Sequence, residues 1–275
     1  MRTTMHYSNI DPFRLFGDYM KLTGVPTLSF PQIGDPRLQG KKLGIVNGSN
    51  WISLWSTWFG KQIIPEVKLV QVGNEGVQLN FMEAFHRKEP CPPQINIELF
   101  CRYAEDLYRL YRVDAILITC STMNRSAGSV RNTMASYGVP VVQIDEAMME
   151  EAVLRGGKVL VVATHGPTVQ STQSLLQETA VRLGKKIDFS GATVEEAFEL
   201  LGEGEIEGHN KAVAEAIHHA RKNEGPFSTI VLAQLSMAVF KFSWPDGLAE
   251  QEFGAPVLTS GETGFRRVRE VLLGE

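Results

Sequence analysis

The sequence has few cysteines, no excess of basic residues and no long apolar run. Three cysteines in 275 residues cannot all pair as disulfides, which fits a reducing compartment, so we expect a cytoplasmic protein. Lys and Arg total 27 against 31 Asp and Glu, so neither nucleic acid nor an anionic membrane is a predicted partner. The longest apolar runs, such as 159–163, fall far short of the roughly 18 residues that span a membrane. The first ten residues lack the apolar segment of a secretory signal, so none is expected.

The chain contains an internal repeat. Residues 114–123 (DAILITCSTM) resemble 228–237 (STIVLAQLSM), residues 41–49 resemble 158–166, and residues 137–143 resemble 253–259. The three pairs occur in the same order at nearly one offset, and they align Cys120 with Gln234 and Asn47 with Thr164. The alternative that buried parallel strands resemble each other by composition alone stays open. At roughly 150 residues per domain the chain has room for about two domains, and the repeat predicts two similar lobes.

Short β-branched runs alternate with stretches of helical periodicity. The runs predict buried parallel strands at 43–46, 115–118, 139–144, 159–163, 230–233 and 256–259. Apolar residues at spacings of three and four predict helices over 97–111 and, more weakly, over 208–222. The alternation indicates an α/β fold in which each lobe has a parallel sheet with helices on both faces. The segment 73–93 is predicted to be a largely irregular loop near the cleft.

The repeat also suggests domain boundaries. Residues 1–40 lie outside it and are predicted to form an N-terminal extension, whose role as a subunit arm, a lid or a packed segment the sequence leaves open. Residues 41–140 together with 251–275 are predicted to form lobe 1, and residues 141–250 to form lobe 2.

The predicted functional site lies where the strands end. In open parallel sheets, ligands bind beyond the carboxyl ends of the strands. Small polar residues follow the strands at 47–49, 120–122, 164–166 and 234–236. Unpaired backbone N–H groups at such turns hold a carboxylate without any basic side chain. Two lobes facing each other would place Cys120 and Gln234 on opposite sides of one cleft.

Cys120 is the strongest candidate for chemistry. Most cysteines are buried and structural, but Cys120 ends its strand and precedes a Ser-Thr pair that can start a helix. Because a helix N-terminus lowers a thiol pKa, we expect Cys120 to alkylate faster than free cysteine. Cys91 and Cys101 are interpreted as structural, and their spacing matches no zinc signature, so no metal site is predicted.

Other candidates carry both a functional and a structural interpretation. His165 is an acid/base group, a hydrogen-bond donor that lines the cleft, or a loop histidine capped by its neighbours. Trp51, Trp55 and Trp58 share one helix face, which favours packing, and Trp51 is the one nearest a strand end. His218 and His219 are predicted to lie on the surface. No group to bind a substrate ammonium is evident, although the acidic Asp145 and Glu146 follow a strand.

Three motifs in order resemble the aspartate/glutamate racemase superfamily, which includes hydantoin racemase, maleate isomerase and arylmalonate decarboxylase. They are ILITCSTMNRSA, VLVVATHGPTVQSTQSL, and AFELLGEGEIEGHNKAVAEAI followed by STIVLAQLSM, and the resemblance covers residues 42 to about 260. It implies two α/β lobes related by a pseudo-twofold axis, an active site in the cleft between them, a dimer or higher homo-oligomer, no cofactor, and a small carboxylate substrate.

The resemblance also implies roles for individual residues. Cys120 matches the first catalytic thiol, and Gln234 occupies the position of the second. The remaining matches are substrate-binding positions: Asn47, Ser49, Ser121, Thr122, Asn124, Thr164, Thr168 and Ser236. The segment 164–168 carries one residue more than the family pattern, so Thr168 matches less well than Thr164.

Gln234 changes the expected mechanism, because an amide donates and accepts hydrogen bonds but cannot carry a proton. Three interpretations stay open. Cys120 acts alone, by adding to a double bond or by protonating a carbanion after decarboxylation of a substituted malonate. His165, or less well Ser236, replaces the missing base. The pocket binds a small acid without turning it over. We predict a cofactor-independent racemase or isomerase. A dinucleotide enzyme is disfavoured because neither glycine-containing turn extends to G-x-G-x-x-G.

Overall fold

The computed structural model describes residues 10–24 and 34–275. Within them the chain forms two four-stranded sheets in which every neighbouring pair is parallel. The first sheet has the order β2-β1-β3-β4 and the second the order β6-β5-β7-β8. The strands are β1 (Lys42–Val46), β2 (Lys68–Val72), β3 (Ala115–Ile118), β4 (Val141–Gln143), β5 (Lys158–Ala163), β6 (Asp188–Thr193), β7 (Thr229–Leu232) and β8 (Val257–Thr259).

The matching strand orders confirm the predicted α/β class with two similar lobes. The edge strands β2 and β6 were not predicted. Their side chains are exposed or only partly buried along the whole strand, so they lack the continuous apolar run that marks β1, β3, β5 and β7.

Helices cover both sheets. They are α1 (Pro12–Thr23), α2 (Ser53–Ile63), α3 (Glu75–His86), α4 (Gln94–Tyr111), α5 (Ala127–Ala135), α6 (Glu146–Arg155), α7 (Gly166–Arg182), α8 (Glu195–Glu203), α9 (Ile206–Glu224), α10 (Phe240–Ser243), α11 (Asp246–Phe253) and α12 (Ser260–Leu273). The predicted helices over 97–111 and 208–222 correspond to α4 and α9. Within the described ranges, no helix is long and apolar enough to cross a bilayer.

The prediction that 73–93 is largely irregular is wrong, because α3 occupies 12 residues of this segment. The Asn74 side chain caps the helix by accepting a hydrogen bond from the Gly76 N–H at 2.8 Å. Val77, Phe81 and Ala84 are buried at spacings of four and three, which is one face of a helix. Gly73, Gly76 and the Cys-Pro-Pro sequence that follows α3 made the segment resemble a loop.

The two lobes exchange helices. Helix α12 packs on the first sheet, where Phe265, Val268 and Leu272 join the cluster around Leu43 and Leu117. Helix α6 packs on the second sheet with the side chains that surround β5. The predicted boundary at 141 is wrong by one strand, because β4 pairs with β3 and belongs to the first sheet. The boundary at 251 is wrong in the same way, because β8 pairs with β7 and belongs to the second sheet. The chain crosses between lobes after each sheet is complete.

The N-terminal extension is described only in part. Helix α1 begins after Asp11, whose carboxylate accepts hydrogen bonds from the Phe13 and Arg14 N–H groups, and none of its residues is buried. The helix contacts α2. Residues 1–9 and 25–33 of the predicted extension lie outside the described residues.

Candidate active site

Four strand ends, two from each lobe, converge on one cavity. Its walls include residues that follow β1, β3, β5 and β7, as expected for parallel sheets whose carboxyl ends face each other. The cavity volume is about 60 Å³, which suits a small molecule. The cavity brings together most of the predicted site residues, namely Ser49, Cys120, Ser121, Thr122, His165, Thr168, Gln234 and Ser236.

Three predicted substrate-binding residues do not line the cavity. Asn47 is fully buried, and its Oδ1 accepts hydrogen bonds from Ser56 at 2.8 Å and Thr119 at 2.6 Å. Thr164 is also buried and bonds to Gln234. The Asn124 Oδ1 accepts a hydrogen bond from Ser171 Oγ at 3.0 Å. These contacts link neighbouring elements behind the cavity wall.

Cys120 lies two residues beyond the end of β3 and is partly accessible from the cavity. Its sulfur lies 3.1 Å from Thr122 Oγ1, and the backbone N–H groups of Thr122 and Met123 also point to it. These contacts favour the thiolate, but burial of the sulfur is the larger effect and raises the thiol pKa.

The raised pKa reverses the direction that we expected from the sequence. A short 3-10 segment, Asn124–Ser126, separates Cys120 from the start of α5, so the thiol gains little from that helix. Because the thiol is mostly protonated at neutral pH, it is suited to donating a proton. The thiol is therefore not expected to alkylate faster than free cysteine at neutral pH.

A buried carboxyl group supports the turn that carries Cys120. The Asp145 Oδ1 accepts a hydrogen bond from Ser121 Oγ at 3.0 Å, and its Oδ2 accepts one from Gln143 Nε2 at 2.8 Å. Asp145 is 1% exposed, and this burial raises its pKa from 3.8 to about 6 despite both hydrogen bonds. Asp145 follows β4 and Ser121 follows β3, so the carboxyl group joins two strand ends.

The raised pKa of Asp145 predicts a pH-dependent loss of stability. The folded state binds this proton more tightly than the unfolded chain, so the contribution is fully present below pH 3.8 and is lost as the pH rises through about 6. The difference corresponds to roughly 3 kcal/mol. Urea unfolding of the native chain and of Asp145→Asn between pH 4 and 7.5 is expected to show the decline only in the native chain. Asp106→Asn, on the exposed face of α4, controls for the loss of one negative charge. Parallel curves for native chain and Asp145→Asn would contradict the prediction.

The start of α7 contributes two polar groups that find no partner among the described residues. They are the buried His165 Nε2 and Thr168 Oγ1, and both residues line the cavity. Burial lowers the pKa of His165, although Glu195 opposes this shift. The imidazole is therefore mainly neutral at pH 7. Buried polar groups are usually satisfied, so these two are available to a ligand.

Gln234 is held in a defined orientation. Its Oε1 accepts hydrogen bonds from the Thr164 backbone N–H at 2.6 Å and from Thr164 Oγ1 at 3.0 Å. This arrangement occupies the amide oxygen and leaves the Nε2 group as a donor toward the cavity that Gln234 lines. Thr164 thus orients Gln234 from behind.

Part of the cavity wall was not predicted from the sequence. Gln78, Phe81 and Met82 come from α3, and Phe198 comes from α8. The α3 residues were missed because the segment was interpreted as a loop. Phe198 lies with its ring centroid 4.3 Å from that of His165, and nothing in the sequence links these distant positions.

The residues with a predicted structural or surface role lie outside the cavity lining, with the exception of Trp51. Trp51 lines the cavity, whereas Trp55 and Trp58 pack against Phe242. The remaining ones do not line this cavity. Cys101 packs against the apolar cluster that includes Phe100 and Ile116, Cys91 is exposed, and the exposed His218 and His219 lie on the surface.

Comparisons with known proteins agree with the two-lobed α/β fold. The family model described as Asp/Glu/Hydantoin racemase matches residues 99–268. An aspartate racemase homologue from Pyrococcus horikoshii superposes with a TM-score of 0.62 at 21% identity, covering 84% of this chain and 99% of that one. Glutamate racemase from Francisella tularensis, solved with D-glutamate, gives 0.60 at 13% identity, with coverage of 85% and 81%. Allantoin racemase from Klebsiella pneumoniae gives 0.58 at 16% identity, with coverage of 86% and 89%. No curated protein sequence matches the chain.

The fold is thus that of two-lobed α/β racemases, in which two parallel sheets face each other. The family match covers more than half of the sequence, and the chain belongs to the Asp/Glu/hydantoin racemase family. It is an enzyme of the racemase type, an isomerase.

Proposed function

We propose that this enzyme moves a proton at the carbon beside a substrate carboxylate, without a cofactor, with Cys120 as the catalytic thiol. One observation carries the proposal. Cys120 lies two residues beyond β3, and Gln234 lies two residues beyond β7, the strand at the same place in the other sheet. Both residues line the one cavity. A thiol and an amide thus occupy equivalent positions in the two lobes, so the chemistry on the two faces of the substrate differs.

In the first half of the reaction a base removes the proton from the α-carbon, and the electron pair moves into the carboxylate. The resulting oxyanion requires donors that are already oriented. Gln234 Nε2 is suited to this role because Thr164 fixes the amide. Ser236 also lines the cavity, whereas the Ser121 hydroxyl already donates its hydrogen bond to Asp145. No basic side chain is needed, since backbone N–H groups at the strand ends bind a carboxylate.

In the second half, a proton returns to the α-carbon. Cys120 carries the proton on one face, and its raised pKa keeps the thiol in the protonated form that can donate. We assign the proton on the opposite face to His165, because its Nε2 is buried without a partner and burial keeps the ring mainly neutral. A neutral imidazole accepts a proton and returns one, so deprotonation by His165 and reprotonation by Cys120 would invert the centre.

The test is incorporation of solvent deuterium, followed by NMR. The purified chain is incubated in heavy water with single enantiomers of amino acids, hydroxy acids and 2-substituted carboxylic acids, and with substituted malonates and maleate. Exchange at the α-carbon that disappears in Cys120→Ser supports the proposal. Exchange that persists in Cys120→Ser, or its absence across the whole panel, would contradict it. Loss of carbon dioxide from a malonate would indicate a one-thiol decarboxylase instead.

The assignment of His165 has a separate stereochemical prediction. In His165→Gln we expect inversion of the substrate centre to fall by about 10²-fold or more, since loss of a general acid/base typically costs 10²–10⁴-fold. Exchange on the face served by Cys120 is expected to survive better than inversion. His218→Gln, the same change at a surface position, is the control. Equal loss of exchange and inversion in His165→Gln would contradict separate roles for the two faces.

A further inference from the structure

The cavity lining combines small polar residues at the strand ends with six apolar residues from both lobes. These six, here called the apolar wall, are Trp51, Ile52, Phe81, Met82, Phe198 and Leu235. Among the described residues that line the cavity there is no Asp, Glu, Lys or Arg.

Three acidic residues beside the site are engaged elsewhere, and Glu195, which acts on the pKa of His165, does not line the cavity. Asp145 lies behind the wall and bonds to Ser121 and Gln143. Glu146, the other residue considered for a substrate ammonium, pairs with Arg131. Glu75 accepts a hydrogen bond from the Asn50 backbone N–H. A charge that leaves water without a partner loses its hydration, and nothing compensates for that loss.

Under the proposed function, backbone donors at the strand ends bind one carboxylate. Among the described residues that line the cavity, a second carboxylate would meet aromatic rings and a thioether but no cationic side chain, and an α-ammonium group would find no carboxylate. A ring or branched chain would instead pack against Trp51, Phe81 and Phe198.

From this distribution we infer that the substrate carries one carboxylate and a compact apolar group, such as a phenyl ring, on the reacting carbon. It carries neither a second carboxylate nor an α-ammonium group. The inference rests on the proposed function for the reaction itself. It sets the substrate apart from aspartate and glutamate, and it makes Phe81 and Phe198 residues that determine specificity.

The test compares four compounds that differ by one group at a time. 2-Phenylpropanoate is the predicted type, phenylglycine replaces its methyl by an ammonium, methylsuccinate replaces its phenyl ring by a carboxymethyl group, and aspartate carries both changes. Deuterium exchange with the native chain gives kcat/KM. Titration calorimetry with Cys120→Ser gives the dissociation constant without any influence of the acidity of the α-hydrogen. We expect 2-phenylpropanoate to bind at least about tenfold more tightly than each of the other three.

A substitution in the apolar wall is expected to shift this preference. Phe198→Arg supplies the missing cationic partner, so the ratio of the dissociation constant of 2-phenylpropanoate to that of methylsuccinate should rise by about tenfold or more. Phe13→Arg is the matched control, because Phe13 is 89% exposed on α1 and does not line the cavity.

The outcomes separate the substrate class from the reaction. If aspartate or methylsuccinate binds or exchanges as well as 2-phenylpropanoate does, and exchange depends on Cys120, the substrate class is overturned and the reaction stands. Preferential binding of 2-phenylpropanoate without exchange of any compound would support the substrate class and contradict the reaction. Absence of both binding preference and exchange would overturn both.

Discussion

Replacement of Cys120 by serine is expected to lower the rate of α-proton exchange by about 10²–10⁴-fold, the usual effect of losing a general acid/base. Serine is close to cysteine in shape, so the turn is expected to keep its packing. A hydroxyl is nevertheless a much weaker acid than a thiol, and it does not exchange a proton with the α-carbon at a useful rate. The measurement is the rate of deuterium incorporation under saturating substrate.

The matched control for Cys120→Ser is Cys91→Ser, the same change at an exposed thiol. Substrate binding is expected to be nearly unchanged in Cys120→Ser, because the thiol acts in the transition state. Full activity in Cys120→Ser would contradict the central role of this residue. Equal loss of activity in Cys91→Ser would show that the assay reports general damage to the protein.

The second large effect is expected from Gly48→Ala. A Cβ at position 48 would overlap the sulfur of Cys120 and lie 3.0 Å from its Cβ. The Cys120 side chain must rotate or shift to relieve this contact, which moves the reacting atom. A displacement of about 1 Å costs on the order of 10²-fold in rate, so kcat/KM should fall by that factor.

The stability of Gly48→Ala distinguishes this displacement from misfolding. Overpacking of this kind costs about 1–3 kcal/mol, and the overlapping atom is the end of a side chain, so we expect the lower part of that range. Gly128→Ala is the control, because a Cβ there meets no atom within 4 Å. A Gly48→Ala protein that keeps its activity would mean that the position of Cys120 is not critical to the reaction.

The repeat in the sequence predicted the architecture because it consists of buried strands, which are recognisable from their local apolar pattern. The four central strands β1, β3, β5 and β7 are almost entirely buried, and buried parallel strands have continuous apolar runs. The edge strands β2 and β6 are only partly buried and were not predicted. Helix α3 was also missed, since its cap at Asn74 and its buried face are weak signals beside the surrounding glycines and prolines.

The candidate site was predictable to the extent that it lies at strand ends. Parallel strands end at the same edge of a sheet, so the polar residues after β1, β3, β5 and β7 were expected to meet. The exceptions have a geometric cause. Asn47 bonds to Ser56 and Thr119, and Thr164 bonds to Gln234, so neither residue lines the cavity.

By itself the sequence determined the two-lobed α/β fold, the position of the cleft and the pairing of Cys120 with Gln234, because these follow from local pattern and repetition. The tertiary structure decided the pairing of β4 with β3 and of β8 with β7, the raised pKa of Cys120, and the apolar wall to which Phe81 and Phe198 belong. The burial of a side chain and the identity of its contacts depend on residues far apart in the chain, so a local sequence pattern does not predict them.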